Sequence, residues 1–238
     1  MNGLLKIPHS PKGRETLNNI LSAAAQLIYE KGYHLANIAD ITKLAGVATG
    51  TFYIYFDSKI SLYRYLLLQF GHQIRQEMSV KTANCTTRRE KEREGLKAWL
   101  EYVRKHPYVY SIIYESIYVD KHLFEEYYET FNKAYTRGLS EDQKNGDVIR
   151  IDTTVLSYVL MGISSFTGMK YCLIEQNTED IDYIVDEVMK LLDHGMFCGG
   201  KEKKEQDAPA KEEKQEMNFR VEVDFDLLNR SGKNKEEG

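Results

Sequence analysis

The sequence predicts an all-α protein of about nine helices, and three observations carry that prediction. Apolar residues recur at steps of three and four along most of residues 14–197, the period of a helix with one buried face. No apolar/polar alternation and no hairpin signal interrupts them before residue 198. Residues 37–62, NIADITKLAGVATGTFYIYFDSKISL, read as two short helices joined by a glycine-containing turn and followed by the start of a long third one.

Taken in order, residues 1–13 form a short flexible arm holding Lys6, Pro8, Pro11 and Lys12. A first helix is predicted over 14–31, with Leu17, Ile20, Leu21, Ala24, Leu27 and Ile28 as its stripe and Gly32 as its end. Tyr33 and Leu35 are expected to turn back to the core. Asn37 then caps a short helix, with Asp40 three residues on at capping-box spacing. Ile38, Ile41, Leu44 and Ala45 share its inner face. Gly46 suits a left-handed residue after that helix, and Val47 re-enters the core. The next short helix, 49–55, sends Phe52 inward, as does Phe56 just beyond it, and turns Thr49, Thr51, Tyr53 and Tyr55 outward. Asp57 and Ser58 offer caps for a long helix over 59–78, and 79–88 reads as a loop.

Beyond that loop the body is helical by period. One helix spans 89–105, with Leu96, Trp99, Leu100 and Val103 inward; Pro107 opens the next, 108–119, which is apolar nearly all round. Another covers 121–139, before Asn145-Gly146 breaks the chain. Asp152 caps a helix to about residue 176, and Asn177 or Thr178 caps the last one, whose stripe is Ile181, Ile184, Val185, Val188, Leu191 and Leu192. The last two helices carry apolar surface for an intramolecular core or for a second copy of the chain. From 199 the run KEKKEQDAPAKEEKQE is a charged, disordered tail, with one possible strand over 219–225. The expected division is a head with its arm at 1–58, a helical effector-binding and dimerisation body at 59–198, and the tail at 199–238.

Composition narrows the function. Hydrophobic residues at 42% and charged ones at 29% suit a globular chain. No apolar run approaches the roughly 20 residues of a membrane helix, and no signal-peptide segment opens the chain, so a cytoplasmic protein without a membrane partner is expected. Net charge is −4, yet residues 1–65 carry seven basic and four acidic side chains, +3, which leaves −7 elsewhere. A basic head on an acidic body meets phosphate with one end only.

Residues 37–62 form a helix-turn-helix, whose second helix enters the DNA major groove. The first-helix stripe ending in Gly32, then Ile41, Ala45-Gly46-Val47, Gly50-Thr51-Phe52-Tyr53, Tyr55-Phe56, Ser58-Lys59 and Leu62 follow one ordered pattern. That pattern is similar to the DNA-binding domain of the TetR family of one-component bacterial transcriptional regulators, over about 50 residues; the rest agrees only in architecture. The resemblance implies base contacts from Thr49, Gly50 and Thr51, phosphate contacts from Tyr53 and Lys59, and backbone contact from Asn37. Lys43 and Tyr55 complete the expected DNA-facing set. The chain departs from the family at Thr49, often lysine there, and at Ala39, often polar, so a single head should discriminate poorly between sequences.

In the body, Trp99, Tyr102, Tyr110, Tyr114, Tyr118, Tyr128, Phe131, Phe166 and Met169 are read either as a tyrosine-rich core or as the wall of a pocket for an apolar or aromatic effector, a fatty-acyl-like molecule among them. Arg104, His106 and Glu115 are candidate polar anchors. The expected function is a dimeric repressor of palindromic operator DNA, released by that effector. No catalytic motif, metal-ligand spacing or cofactor signature is present: His9, His34, His72, His106, His122 and His194 are scattered, and Cys85, Cys172 and Cys198 lie far apart. The competing readings are a redox switch on one of those cysteines and a helical interaction protein without a small-molecule ligand.

Overall fold

The structure, a computed structural model, describes residues 5–175 and 180–194. The expected strand at 219–225, the tail from 199, Cys198 and the cap at Asn177 or Thr178 lie outside the described residues. Within them the chain is helical, with no strand: α1 Pro11–Leu35, α2 Ile38–Leu44, α3 Thr49–Tyr55, α4 Lys59–Thr82, α5 Arg88–Lys105, α6 Tyr108–Val119, α7 Lys121–Asn145, α8 Thr153–Gly168 and α9 Ile181–His194. A π-helical turn, Met169–Ile174, extends α8.

Local chemistry sets the helix starts. Ser10 accepts the Gly13 N–H at 3.1 Å and Pro11 occupies the first turn, so α1 begins three residues before the predicted Arg14. Ser58 and Ser61 close a reciprocal capping box on α4, and Thr87 with Glu90 closes another on α5. Asp152 accepts the N–H groups of Thr154 and Val155 at 2.8 and 2.9 Å. The ends run longer than predicted at α4 and α7. Residues 79–82 contain neither glycine nor proline and stay helical, and α7 continues to Asn145, where left-handed Gly146 stops it.

Gly32 breaks α1 at a kink, one residue past the predicted helix. Its backbone sits at φ 82° and ψ 160°, a region that only glycine enters freely. The sharp turn carries Leu35 to the surface rather than into the core. Leu44 is likewise exposed, because it lies six positions, roughly 240°, round the two-turn α2 from Ile38.

Ile20, Ile28, Ile41, Phe52 and Phe56 are fully enclosed and form the core of the head. Each such side chain contributes about 1.5–3 kcal/mol through burial. The body core centres on Leu62, Leu67, Leu100, Val103, Val109 and Ile112. Helix α1 packs along α6 and against α4, which sets the head on the body, while α4 packs along α5 inside the body. Helix α7 lies between α6 and α8, and α5 rests on α9. Arg89, Arg93 and Lys97 of α5 pair with Asp193, Asp182 and Asp186 of α9 at 2.7–3.3 Å, fixing the register of two helices that also share the buried Ile184 and Val185.

Candidate nucleic-acid interface and effector cavity

The head places the predicted DNA-facing residues at the cap of α2, on α2 and α3 and, for Lys59, at the start of α4. Thr49 and Gly50 are exposed at the start of α3, Thr51 is half-buried, and Tyr53 is 51% exposed. Thr42 of α2 is buried; its hydroxyl donates to the Ala39 carbonyl and lies 3.4 Å from the Thr49 hydroxyl, which ties the start of α3 to α2. Asn37 caps α2 as expected, its Oδ1 accepting the Asp40 N–H at 2.8 Å. The Asp40 carboxylate turns to Lys31 at 2.6 Å rather than closing the box on the Asn37 backbone, and that ammonium holds its pKa below the usual carboxylate range. Lys43 is exposed. The arm is laid on this head: Leu5 N–H donates to the Tyr55 carbonyl at 2.8 Å.

The outward reading of Tyr55 is corrected, and Lys59 has partners within the chain. Tyr55 is only 6% exposed; it follows Phe52 by three residues, on the same helical face, and its hydroxyl donates to the Gly13 carbonyl at 3.2 Å. It belongs to the core. Lys59 donates to the carbonyls of Tyr33 and His34 at 2.7 and 3.3 Å and lies 4.2 Å from the Tyr33 ring centre. Its first task is to bind the broken end of α1, and burial lowers its pKa.

A cavity of about 520 Å³ opens among α4, α5, α6, α7 and α8, inside the roughly 300–1,000 Å³ range of small-molecule sites. Trp99, Tyr110, Tyr114, Tyr128 and Phe131 line it as expected. Trp99 and Tyr110 are held by α8: the indole N–H donates to the Ser164 carbonyl at 2.9 Å and the phenol to the Ser165 carbonyl at 2.7 Å. Burial pushes the Tyr128 phenol up to about 12 and raises Tyr110 and Tyr127 as well, so all three are neutral donors at physiological pH.

The other four aromatic and methionine candidates are off this wall. Tyr118 is 84% exposed at the end of α6, and Phe166 is 69% exposed on the outer side of α8, beside a second, shallower depression. Tyr102 donates to Gln73 and packs on His106; Met169 packs on the core from the π turn. None of the three proposed anchors lines the cavity. His106 pairs with the Tyr108 hydroxyl. Glu115 instead joins body to head: its Oε1 accepts the Tyr33 N–H at 2.6 Å, while the Tyr63 hydroxyl of α4 donates to the Ile112 carbonyl of α6 at 2.5 Å.

The polar wall is made by residues the sequence reading passed over. Arg75, Met78 and Thr82 continue the α4 row, and Arg88, Glu92, Gly95 and Trp99 follow one face of α5 at helical spacing. The residues on that α5 face lie on a continuous stripe that periodicity exposes once the helix starts at Arg88. Arg88 is nearly enclosed, binding Glu92 and lying 3.1 Å from Asp142, with its guanidinium over the Tyr135 ring; Tyr135 donates to Glu92. Cys172 is buried, and burial raises its thiol pKa, away from the reactive thiolate form.

Residues 20–66 match the family model described as bacterial regulatory proteins, tetR family. The match covers the head of the chain, from within α1 to the first turns of α4. Over 66 residues it is 39% identical to the fatty acid metabolism regulator protein of Bacillus subtilis, covering 26% of this chain and 34% of that protein. Over 105 residues it is 27% identical to the HTH-type transcriptional activator FasR of Mycolicibacterium smegmatis, covering 44% and 48%. The chain thus spans about a third to a half of the length of the curated relatives it matches. In structure it is similar to the transcriptional regulator FadR of B. subtilis solved with stearoyl-CoA: TM-score 0.66, 20% identity, 76% of this chain and 99% of that one. At that identity the likeness is one of fold. These relatives are named as regulators of metabolism or transcription, and no described helix is long and apolar enough to cross a membrane.

Proposed function

We propose that this TetR-family chain is a cytoplasmic, homodimeric repressor of palindromic operator DNA, released when an apolar, fatty-acyl-like effector fills the cavity among α4–α8. The observation that carries this reading is the aromatic cavity set directly behind the helices that hold the head. Its wall includes Tyr110, Ile113 and Tyr114 of α6, and the next residue, Glu115, binds the α1 break at Tyr33. A ligand that favours one placement of α6 therefore biases the head, and by linkage DNA biases the ligand. Similarity to a fatty acid regulator and to a fold that holds stearoyl-CoA supports the ligand class. The similarity to an activator leaves release the choice of this proposal, made because a ligand that moves α6 strains the existing α6–α1 bond.

The division into a head at 1–58 and a body from 59 fits the placement of DNA-facing groups on α2 and α3 and of cavity groups on α4 to α8. Two heads are needed because Thr49, Gly50 and Thr51 offer few groups for base readout. An apolar row on α8, Val155, Val159 and Phe166 with Tyr158 beside it, is exposed among the described residues and supports a second copy there. Tyr183 and Leu191 of α9 are exposed as well. Selection from a random duplex pool, with sedimentation of the complex, tests the reading. Recovery of inverted repeats with half-site centres about 10–10.5 base pairs or a multiple apart is expected; a monomer enriching no repeat contradicts it.

A further inference from the structure

Among the described residues three cations line the cavity, and two are already paired with carboxylates. Arg88 is held between Glu92 and Asp142, with both carboxylates nearly enclosed. Lys91 lies 4.0 Å from the second oxygen of Asp142. Arg75 differs. Among the described residues no carboxylate and no hydrogen-bond acceptor meets its guanidinium, which rests 5.0 Å from the centre of the Phe131 ring. Its Nη1 and the Tyr127 ring of α7 both lie beside Gly71, one turn earlier on α4, where an added Cβ would come 3.1 Å from each. Both Phe131 and Tyr127 belong to the cavity wall. The charge is half-buried, and loss of water lowers its pKa, the sign of a charge whose solvation is incompletely replaced.

We infer that Arg75 receives the anionic head of an amphiphilic effector whose chain lies against Trp99, Tyr110, Tyr114 and Phe131. The inference rests on the reading of this cavity as the effector site. A neutral apolar molecule covering Arg75 would strip water from a cation and give nothing back. A carboxylate or phosphate would satisfy the planar guanidinium with two parallel hydrogen bonds and remove that cost. The arginine then selects for charge, and the aromatic wall for the chain. One chemistry, an anion on an alkyl chain, has two sources: a free fatty carboxylate, or the phosphates of a coenzyme A thioester.

Trp99 is the sole tryptophan and lies on the cavity wall, so its fluorescence reports binding directly. The full chain is titrated with dodecanoate, dodecanoyl-CoA and dodecanol below their aggregation concentrations, with melting temperature as a second readout. At least one anionic ligand is expected to bind about tenfold or more tightly than dodecanol, ~1.4 kcal/mol, and Arg75→Gln to erase that margin by weakening the anion while dodecanol binds as before. A margin for dodecanoate identifies a carboxylate; one confined to dodecanoyl-CoA identifies a phosphate. Equal affinities for all three ligands in the wild type overturn the role of Arg75 and leave the cavity reading standing, as does a margin that survives Arg75→Gln. If no ligand changes either readout, the cavity reading falls and the inference with it. Should Arg75→Gln fail to fold, the wild-type ranking decides, with Arg75→Lys as the charge-conserving control.

Discussion

Thr51 and Lys43 belong to the same proposed DNA-facing set but would do different work. Thr51 sits in the first turn of α3, where a hydroxyl and a methyl can meet base edges; exposed Lys43 offers only charge. Thr51→Ala should change base preference, by about 1 kcal/mol at one position. Lys43→Ala should weaken binding to all sequences alike and reduce the salt slope by about 1. Binding isotherms on operator and random DNA at several salt concentrations separate the two, and matching losses on both DNAs for both variants would contradict the division. Lys59 no longer serves as the phosphate probe, because its ammonium holds the α1 carbonyls and its removal would disturb the fold. Gly32 makes a second residue-scale case. Its φ of 82° excludes a side chain, and an added Cβ would come within 3.0 Å of the Glu115 carboxylate. Gly32→Ala should cost about 1–3 kcal/mol, read as a lower denaturant midpoint at unchanged slope; an unchanged midpoint would mean the break relaxes freely.

At the scale of elements, the helices were legible because a 3.6-residue period and explicit caps agree at most of them. Pro107, Gly146 and Asp152 mark ends in the sequence as they do in the structure. What periodicity leaves out is rotation about each helix axis. It read Tyr55 as outward although the step from Phe52 is a helical one, and it grouped Tyr118 and Phe166 with the cavity because they are aromatic. Facing is decided by which neighbour packs there, a long-range fact with no local signature. The polar wall was missed for the same reason: Arg88, Glu92 and Asp142 meet across α5 and α7, 54 positions apart between Arg88 and Asp142. That cluster yields its own prediction. Arg88→Met strands two nearly enclosed carboxylates and should cost about 3–5 kcal/mol, whereas replacing all three charges by apolar residues should cost much less. Thermal unfolding of both variants checks this, and equal losses would show that packing rather than pairing dominates.

At the scale of the whole molecule, the arrangement is a short relay. The cavity aromatics of α6 lie beside Glu115, Glu115 grips the break in α1, and Lys59 at the start of α4 grips the same break from the other side. Head and body therefore meet at a polar joint in addition to the packing of α1 along α6. In the proposed function that joint takes two positions, the bistability a ligand-gated regulator needs. The most direct test is fluorescence anisotropy of a labelled duplex from the region upstream of the protein's own gene. The full chain should bind it about a thousandfold or more tightly than random DNA at physiological salt, and saturating long-chain amphiphile should release it. Equal affinity for random DNA, or an operator complex indifferent to every such ligand, would contradict the central claim.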